Sequence, residues 1–497
     1  MLNAWKSKTR AFCTKEKSQL IILGLSFLFL IVCAVFIKYQ KLWFPYSVFG
    51  LFALYLLLFK MDTLLYLTAF LTPFSININE FMPDISYGLS FPSEALMLAL
   101  MLMFLAKILY ENHYNIHISK HPISLAIIFY LLWLGITSIT STIPWVSVKF
   151  LISKLWFIIP FYFFLCQLVE KDIKKSITFF LSYALGLALI VCITTVKHLQ
   201  MGDVEKVSHW VMSPYYNDHT AYGAVLAFFV CIVGGLFFMP HLTKKQKTAS
   251  AILFPILLVG LYLSFSRAAW LSVIISMGVW VLLLLKIKMK SVLIFIGTVV
   301  VLFFTFQSTI LHQLNKNEQE SSNNFLEHFQ SITNISSDAS NVERINRWTS
   351  AWRMFKEKPV FGYGPGTYQF KYAPFQRSKF RTIITTNSGD GGNAHSEYLG
   401  PLAETGLVGM LSVMLIVFLC IYKGIHIYYQ EKQKSIRILS LMCTLALISY
   451  YTHGIMNNFL DTDKLALPVF GAMAVITALD IYRKHNHNIN TVDNENK

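Results

Sequence analysis

Apolar residues recur in this chain as long unbroken runs separated by short polar intervals, not as the 3.6- or 2-residue alternation of a water-facing helix or strand. About 30 Å of hydrocarbon takes roughly 17 to 25 helical residues to cross. Runs of about this length fall near residues 20–38, 43–59, 61–76, 93–110, 123–142, 147–168, 176–197, 219–239, 250–265, 267–286, 291–308, 397–422, 436–455 and 465–482. The second and third lie so close together that the pattern predicts about 12–14 transmembrane helices in an all-α polytopic integral membrane protein. The predicted layout is a tail at 1–19, eleven spans across 20–308, one large loop with an amphipathic helix at 309–396, three spans across 397–482 and a tail at 483–497.

Composition supports the same class, with 55% of residues apolar and 14% charged over 497 residues. The formal charge of +16 would suggest nucleic acid in a soluble chain. Here the basic residues gather at span ends: Lys6 to Lys17, Lys171 to Lys175, Lys244 to Lys247, Lys286 to Lys290, Lys432 to Arg437, and Arg483 with Lys484. Placing the N-terminus in the cytoplasm puts all of these clusters inside, so the positive-inside bias accounts for most of the charge and no nucleic-acid partner is expected. The first run follows a basic N-terminus but lacks a small-residue cleavage site, and reads as a retained anchor. The seven cysteines lie in spans or in the N-terminal tail, so no disulfide framework or thiolate metal site is expected in the large loop.

Polar chemistry concentrates in Asn341–Gly409. In ERINRWTSAWRMFKEKP, the residues Ile345, Trp348, Trp352 and Phe355 recur at helical spacing, ended by Pro359, as in a helix lying against the spans or the headgroups. Arg344 and Arg347 share this helix on neighbouring faces. Gly362, Gly364 and Gly366 follow, and would allow backbone amides to approach a ligand closely. His395 stands just before a span, where a helix N-terminus disfavours a cation and leaves a neutral imidazole able to accept a proton. Asn393 and Ser396 are N-cap residue types, and Glu404 lies deep enough to want a partner.

Two further cations are costly where they stand. Arg267, in SFSRAAW, reads either as an arginine snorkelling to headgroup phosphate or as an anion site with Ser264 and Ser266 as added donors. Lys154, a turn or more inside its span, reads as a snorkelling lysine. An external segment near 198–218 adds aromatic residues, with Asp218 and His219 at the mouth of the next span.

Together SFSRAAW, the Arg344-to-Trp348 motif leading into KPVFGYGPGTY, and AHSEYLGPLAETGLVG resemble the O-antigen ligase / Wzy-type polymerase superfamily of bacterial polysaccharide membrane enzymes, from about 250 to 420. The resemblance implies a membrane glycosyltransferase of GT-C-like type in the bacterial inner membrane, with its large loop in the periplasm. Its donor would be an undecaprenyl-diphosphate-linked glycan, and its acceptor a hydroxyl of the lipid A core. Arg267 and Arg344 match the arginines that hold the donor diphosphate, with Arg347 beside them, and His395 matches the histidine that activates the acceptor. Where the family commonly has His-Asn, this chain has His395-Ser396. Lys154, Ser266, Ser396 and Glu404 stand as supporting candidates. No cofactor or metal is expected, since the activated donor needs no nucleotide and neither a P-loop nor an Asp-x-Asp pair on the external face is present. A Wzy-type polymerase, a protein O-oligosaccharyltransferase and a transporter of lipid-linked sugars remain alternatives.

Overall fold

A computed structural model describes residues 43–80, 88–111, 114–202, 204–287, 339–380 and 392–495, together with residues 32, 297, 298 and 385. The chain divides into two compact units, Met1–Leu64 and Leu65–Lys497. Helix α1 (Trp43–Phe59) belongs to the first, and α2 (Met61–Leu71) runs across the boundary.

Among the described residues, ten helices of the second unit are long and apolar enough to cross a membrane: α3 (Ser93–Glu111), α4 (Pro122–Ile139), α5 (Pro144–Lys171), α6 (Lys174–Met201), α7 (His219–Leu236), α8 (Lys244–Leu263), α9 (Arg267–Leu284), α11 (Leu399–Gln430), α12 (Lys434–His453) and α13 (Asp463–Glu495, apolar to His485). Each coincides with a run read from the sequence, and the protein is an all-α polytopic membrane protein. Nearly all of the runs at 20–38 and 291–308 lies outside the described residues. The run at 61–76 is corrected: Pro73 turns the chain into a 3-10 segment at Thr72–Phe74, leaving 11 residues of helix. At 1.5 Å per residue that is about half the hydrocarbon thickness. The sheet content among the described residues is one two-residue pairing, Ile76–Asn77 with Ser90–Phe91.

Burial orders the bundle. The apolar windows of α12 and α13 are 78% and 89% buried, against 28% and 22% for α8 and α9, so the former pair forms the core and the latter faces outward. Small residues make this close packing possible, as expected where helices associate without water. A Cβ on Gly471 of α13 would meet the Phe179 ring at 2.5 Å, and one on Gly235 of α7 would meet Met442 of α12 at 2.5 Å. Near the end of the apolar part of α13, Asp480 is fully buried and pairs with His121, Lys423, Arg483 and Lys484.

Helix α11 is interrupted at Gly406 (φ 70°, ψ −169°). Backbone groups freed inside a membrane helix need partners, and the loop before α11 supplies them. Leu407 N–H donates to Pro359 O at 2.9 Å, Tyr363 N–H to Ala403 O at 3.1 Å and Gly364 N–H to Glu404 O at 2.8 Å. The glycine run is therefore corrected: it brings backbone close to backbone, and two amides at its start go to α11 instead of a ligand. Gly362 has φ 65°, and a Cβ there would lie 2.3 Å from the Glu404 carbonyl carbon. Gly362→Ala is expected to destabilise the protein by about 2 kcal/mol or more, combining left-handed strain with a backbone clash. The check is a lowered Tm of the detergent-purified variant; an unchanged Tm would mean the loop is not docked on the kink.

Helix α10 (Ala339–Glu357) packs on α11. The stripe read as apolar is not its most buried one, since Trp352 is 47% exposed. Burial follows Glu343, Asn346, Arg347, Ser350, Ala351 and Met354 instead. Most of these polar groups are partnered in place: Glu343 takes Arg347 Nε–H at 2.7 Å and the Thr385 hydroxyl at 2.6 Å, and Asn346 Oδ1 takes Arg377 N–H at 3.2 Å, while Asn346 Nδ2 has no hydrogen-bond partner among the described residues. Polar residues tolerate burial when partnered in this way.

Candidate functional site

The residues between Gly392 and α11 form a turn held from three sides. His395 has φ 48°, a left-handed conformation uncommon for a residue with a side chain. Its N–H donates to Asn393 Oδ1 at 3.0 Å, and its carbonyl accepts from the Trp348 indole of α10 at 3.1 Å. Ser396 Oγ accepts from Tyr398 N–H and Leu399 N–H, both at 3.3 Å, at the start of α11. Glu397 ties the turn to the α12–α13 connection: its N–H donates to Gly454 O at 2.8 Å, and its carboxylate accepts from Phe459 N–H at 2.7 Å, Leu460 N–H at 3.0 Å and the Tyr450 hydroxyl. Burial, and then the charge of Asp461, push the Glu397 carboxyl above its ordinary value. A strained residue persists where its surroundings over-determine it, and these bonds fix the path of the chain on both sides of His395.

Arg347 braces this turn. Its Nε–H donates to Glu343, its guanidinium stacks on Tyr372 with 4.2 Å to the ring centroid, and its Nη1 reaches Asn393 O at 3.5 Å. Gly392 allows the approach, because a Cβ there would meet the guanidinium at 1.7 Å. Arg347 thus lies against protein groups, beside Arg344 as the sequence places it.

Arg344, one turn away, is half-buried, and its charge acts on His395, His219 and His453. Arg267 opens α9 and, like Arg344, acts on His219. The crossing that brings α7 to α9 is tight: a Cβ on Gly223, one turn after His219, would meet Ser266 Cβ at 2.6 Å. Ser266 itself is buried, and its Oγ has no hydrogen-bond partner among the described residues. Asp218 caps α7, its carboxylate accepting from Ala221 N–H at 2.7 Å and the Thr220 hydroxyl at 2.6 Å, and its charge acts on His395, His219 and His453. Arg267, Arg344, Asp218, His219, His395 and His453 therefore share one electrostatic neighbourhood, drawn from five segments of the chain. Burial first, then Arg344 and Arg347, lower the His395 imidazole to about 4, so it is neutral at neutral pH.

Lys154 and Glu404 lie on the other side of the turn. Lys154 is buried and does not snorkel: its ammonium donates to Leu460 O at 2.7 Å and pairs with Asp461 at 2.8 Å, because the α12–α13 connection places a carboxylate within reach. Glu404 accepts from Tyr368 N–H at 2.9 Å, just past the end of the glycine run. Both residues line a cavity of about 400 Å³ together with Asn393, Ala394 and Glu397, the residues flanking His395.

Sequence reasoning does not single out His453, and it leaves Asp218 and His219 without an assigned role. The polar mouth at Asp218-His219 was visible but carried no motif, and His453 reads as an ordinary span-ending residue. In the structure His453 is buried, and neither ring nitrogen has a hydrogen-bond partner among the described residues. Among those residues, no three His, Cys, Asp or Glu side chains gather as a metal ligand set.

An uncharacterized protein of Haemophilus influenzae is 30% identical over 134 residues, which is 26% of this chain and 32% of that protein. The chain thus spans about a third of the length of the curated relative it matches. Residues 252–414, the segment that carries Arg267, Arg344, Arg347 and His395, match the model of the O-antigen ligase family.

Proposed function

We propose that this chain is a membrane glycosyltransferase of the O-antigen ligase type, moving a glycan from undecaprenyl diphosphate to a hydroxyl of the lipid A core on the periplasmic face of the inner membrane. The reading is supported by the charge of Arg344 acting on His395, and by the charges of Arg344 and Arg267 both acting on His219, across sequence-distant segments. In this scheme Arg267 and Arg344 hold the diphosphate, and their guanidinium groups match its oxygens as paired donors. The acceptor hydroxyl gives its proton to the His395 imidazole as its oxygen bonds to the anomeric carbon. The bond from that carbon to phosphate oxygen breaks, and the lipid diphosphate leaves with the electron pair, inverting the centre. Negative charge grows on the leaving oxygen, where fixed cations stabilise it most.

Arg347 acts here as a positioning residue, through Glu343 and the Asn393 carbonyl. The layout of one large external loop at 309–396 between the spans of 20–308 and 397–482 belongs to the same proposal, because it places the turn and the arginines on the side where the glycan arrives.

The test is reconstitution of the purified protein in vesicles with a lipid-diphosphate-linked glycan, offered either lipid A core or a second lipid-linked repeat. One lipid diphosphate released per glycan joined to the core is the expected outcome. Lengthened lipid-linked chains would assign the polymerase reaction instead, and no transfer to either acceptor would overturn the transferase reading.

A further inference from the structure

The end of the bundle opposite the His395 turn carries a second cavity. Helix α7 begins at His219 and α12 ends at His453, both beside the candidate site, whereas the cavity of about 670 Å³ lies where α7 ends and α12 begins. Its other wall comes from α8 and α9 through Phe254, Met277 and Trp280. Those two helices are the least buried of the ten, so the cavity adjoins the outward-facing side of the bundle. Aromatic rings frame it: a Cβ on Gly234 would meet the Phe254 ring at 3.1 Å, and Phe237 meets the same ring edge-on at 5.2 Å. Apart from Lys434 and Arg437, no side chain in the lining is charged.

These two cations stand three residues apart at the start of α12, where the helix dipole disfavours positive charge. Among the described residues neither pairs with a carboxylate. Arg437 is held at the cavity by its Nε–H, which donates to Tyr428 O at 3.0 Å, and by the Tyr428 ring beneath its guanidinium at 5.1 Å. Lys434 is exposed. The nearby Glu431 carboxylate accepts from Lys432 N–H at 2.8 Å and Gln433 N–H at 2.9 Å.

We propose that this cavity binds an anionic phospholipid of the leaflet opposite the candidate site, with an acyl chain among the aromatic rings and the phosphate at Lys434 and Arg437. The positive-inside pattern assigns that leaflet to the cytoplasm. An apolar cavity beside lipid takes up hydrocarbon of any kind, so the chain alone selects nothing. Selection comes from the two cations, because basic pockets between membrane helices bind anionic headgroups, and the arginine fork matches phosphate oxygens. The donor's carrier lipid has the same chemistry of chain and phosphate, but its phosphates are assigned to Arg267 and Arg344 at the other end of the bundle. The inference uses neither donor nor acceptor, and it stands or falls independently of the transferase reading.

The test is native mass spectrometry of the full-length protein in detergent, titrated with phosphatidylglycerol, cardiolipin, phosphatidylcholine and undecaprenyl phosphate. Phosphatidylglycerol or cardiolipin should bind several-fold more tightly than phosphatidylcholine. Lys434→Gln should weaken that binding about fivefold and Lys434→Gln with Arg437→Gln about 20-fold, the effect of one and of two basic residues near an anionic headgroup. Arg437→Lys, which keeps the charge, should bind nearly as the parent does. Position is read separately: phosphatidylglycerol with brominated chains should quench a saturable part of the tryptophan fluorescence, and Trp280→Phe should abolish that part. Equal binding of phosphatidylcholine, glutamine variants that bind like the parent, or quenching that survives Trp280→Phe would each overturn the proposal. Undecaprenyl phosphate that displaces phosphatidylglycerol and itself binds more weakly to the double glutamine variant would give the cavity to the carrier lipid and refute the phospholipid assignment. Melting curves check that the variants fold, and the exposed Lys434 keeps the charge test available if substitution of Arg437 disturbs the fold.

Discussion

Alanine at His395 is expected to slow transfer by roughly 10²- to 10⁴-fold, the usual contribution of a positioned general base, with donor binding retained. The reason to expect a clean loss is that the turn is held by groups other than the imidazole. The Trp348 indole binds the carbonyl of residue 395, Asn393 binds its N–H, and Ser396 and Glu397 anchor the following residues. Alanine keeps those bonds but is strained at φ 48°, whereas asparagine visits that conformation readily. His395→Asn therefore separates the missing base from a distorted turn: it should fold like the parent and be as slow as the alanine variant. Full transfer by a folded His395→Asn protein would remove the base from the scheme.

Most of the fold was legible because one physical term dominates it. Crossing a bilayer demands length and apolarity, and both are visible in a sequence window, so the ten observed spans coincide with predicted runs. The failure at 61–76 shows the limit: Pro73 breaks a run that hydropathy alone extends. What could not be read was decided by tertiary partners. The buried stripe of α10 is polar because Glu343, Arg347 and Thr385 satisfy one another, whereas Trp352, the residue a periodicity argument buries, is left at the surface. The glycine run looked like a ligand cradle because positive φ is needed in both cases; only the break at Gly406 reveals that its amides answer α11. At the site, His395, Arg267 and Arg344 stood out by motif, while His453 had no local signal at all. Its interest comes from burial with no hydrogen-bond partner for its ring among the described residues, a property of the assembled bundle.

Removing either Arg267 or Arg344 is expected to reduce transfer by about 10²- to 10³-fold, the range seen when one preorganised donor to a developing charge is lost. The two should differ in pH behaviour. Arg344 is the larger of the two arginine influences that hold His395 down, whereas Arg267 acts on His219 and is not among the charges acting on His395. With the imidazole lowered to about 4, the free protein keeps it neutral until the pH falls toward that value, so kcat/KM should be insensitive to His395 protonation from pH 6 to 8. Arg344→Gln removes a cation that opposes the imidazolium, so the folded-state value rises and the acid limb of kcat/KM should move to higher pH. Arg267→Gln should lower the plateau and leave that limb in place. Bound diphosphate acts in the same direction as Arg344→Gln, since its negative charge offsets the arginines, so the imidazole becomes a stronger base only when a donor is present. Lysine at 344 keeps the charge but loses the planar pair of donors; it should hold the acid limb where it is while donor Kd weakens. An acid limb that stays fixed in Arg344→Gln, or moves equally in both glutamine variants, would break the link between arginine and histidine on which the mechanism depends.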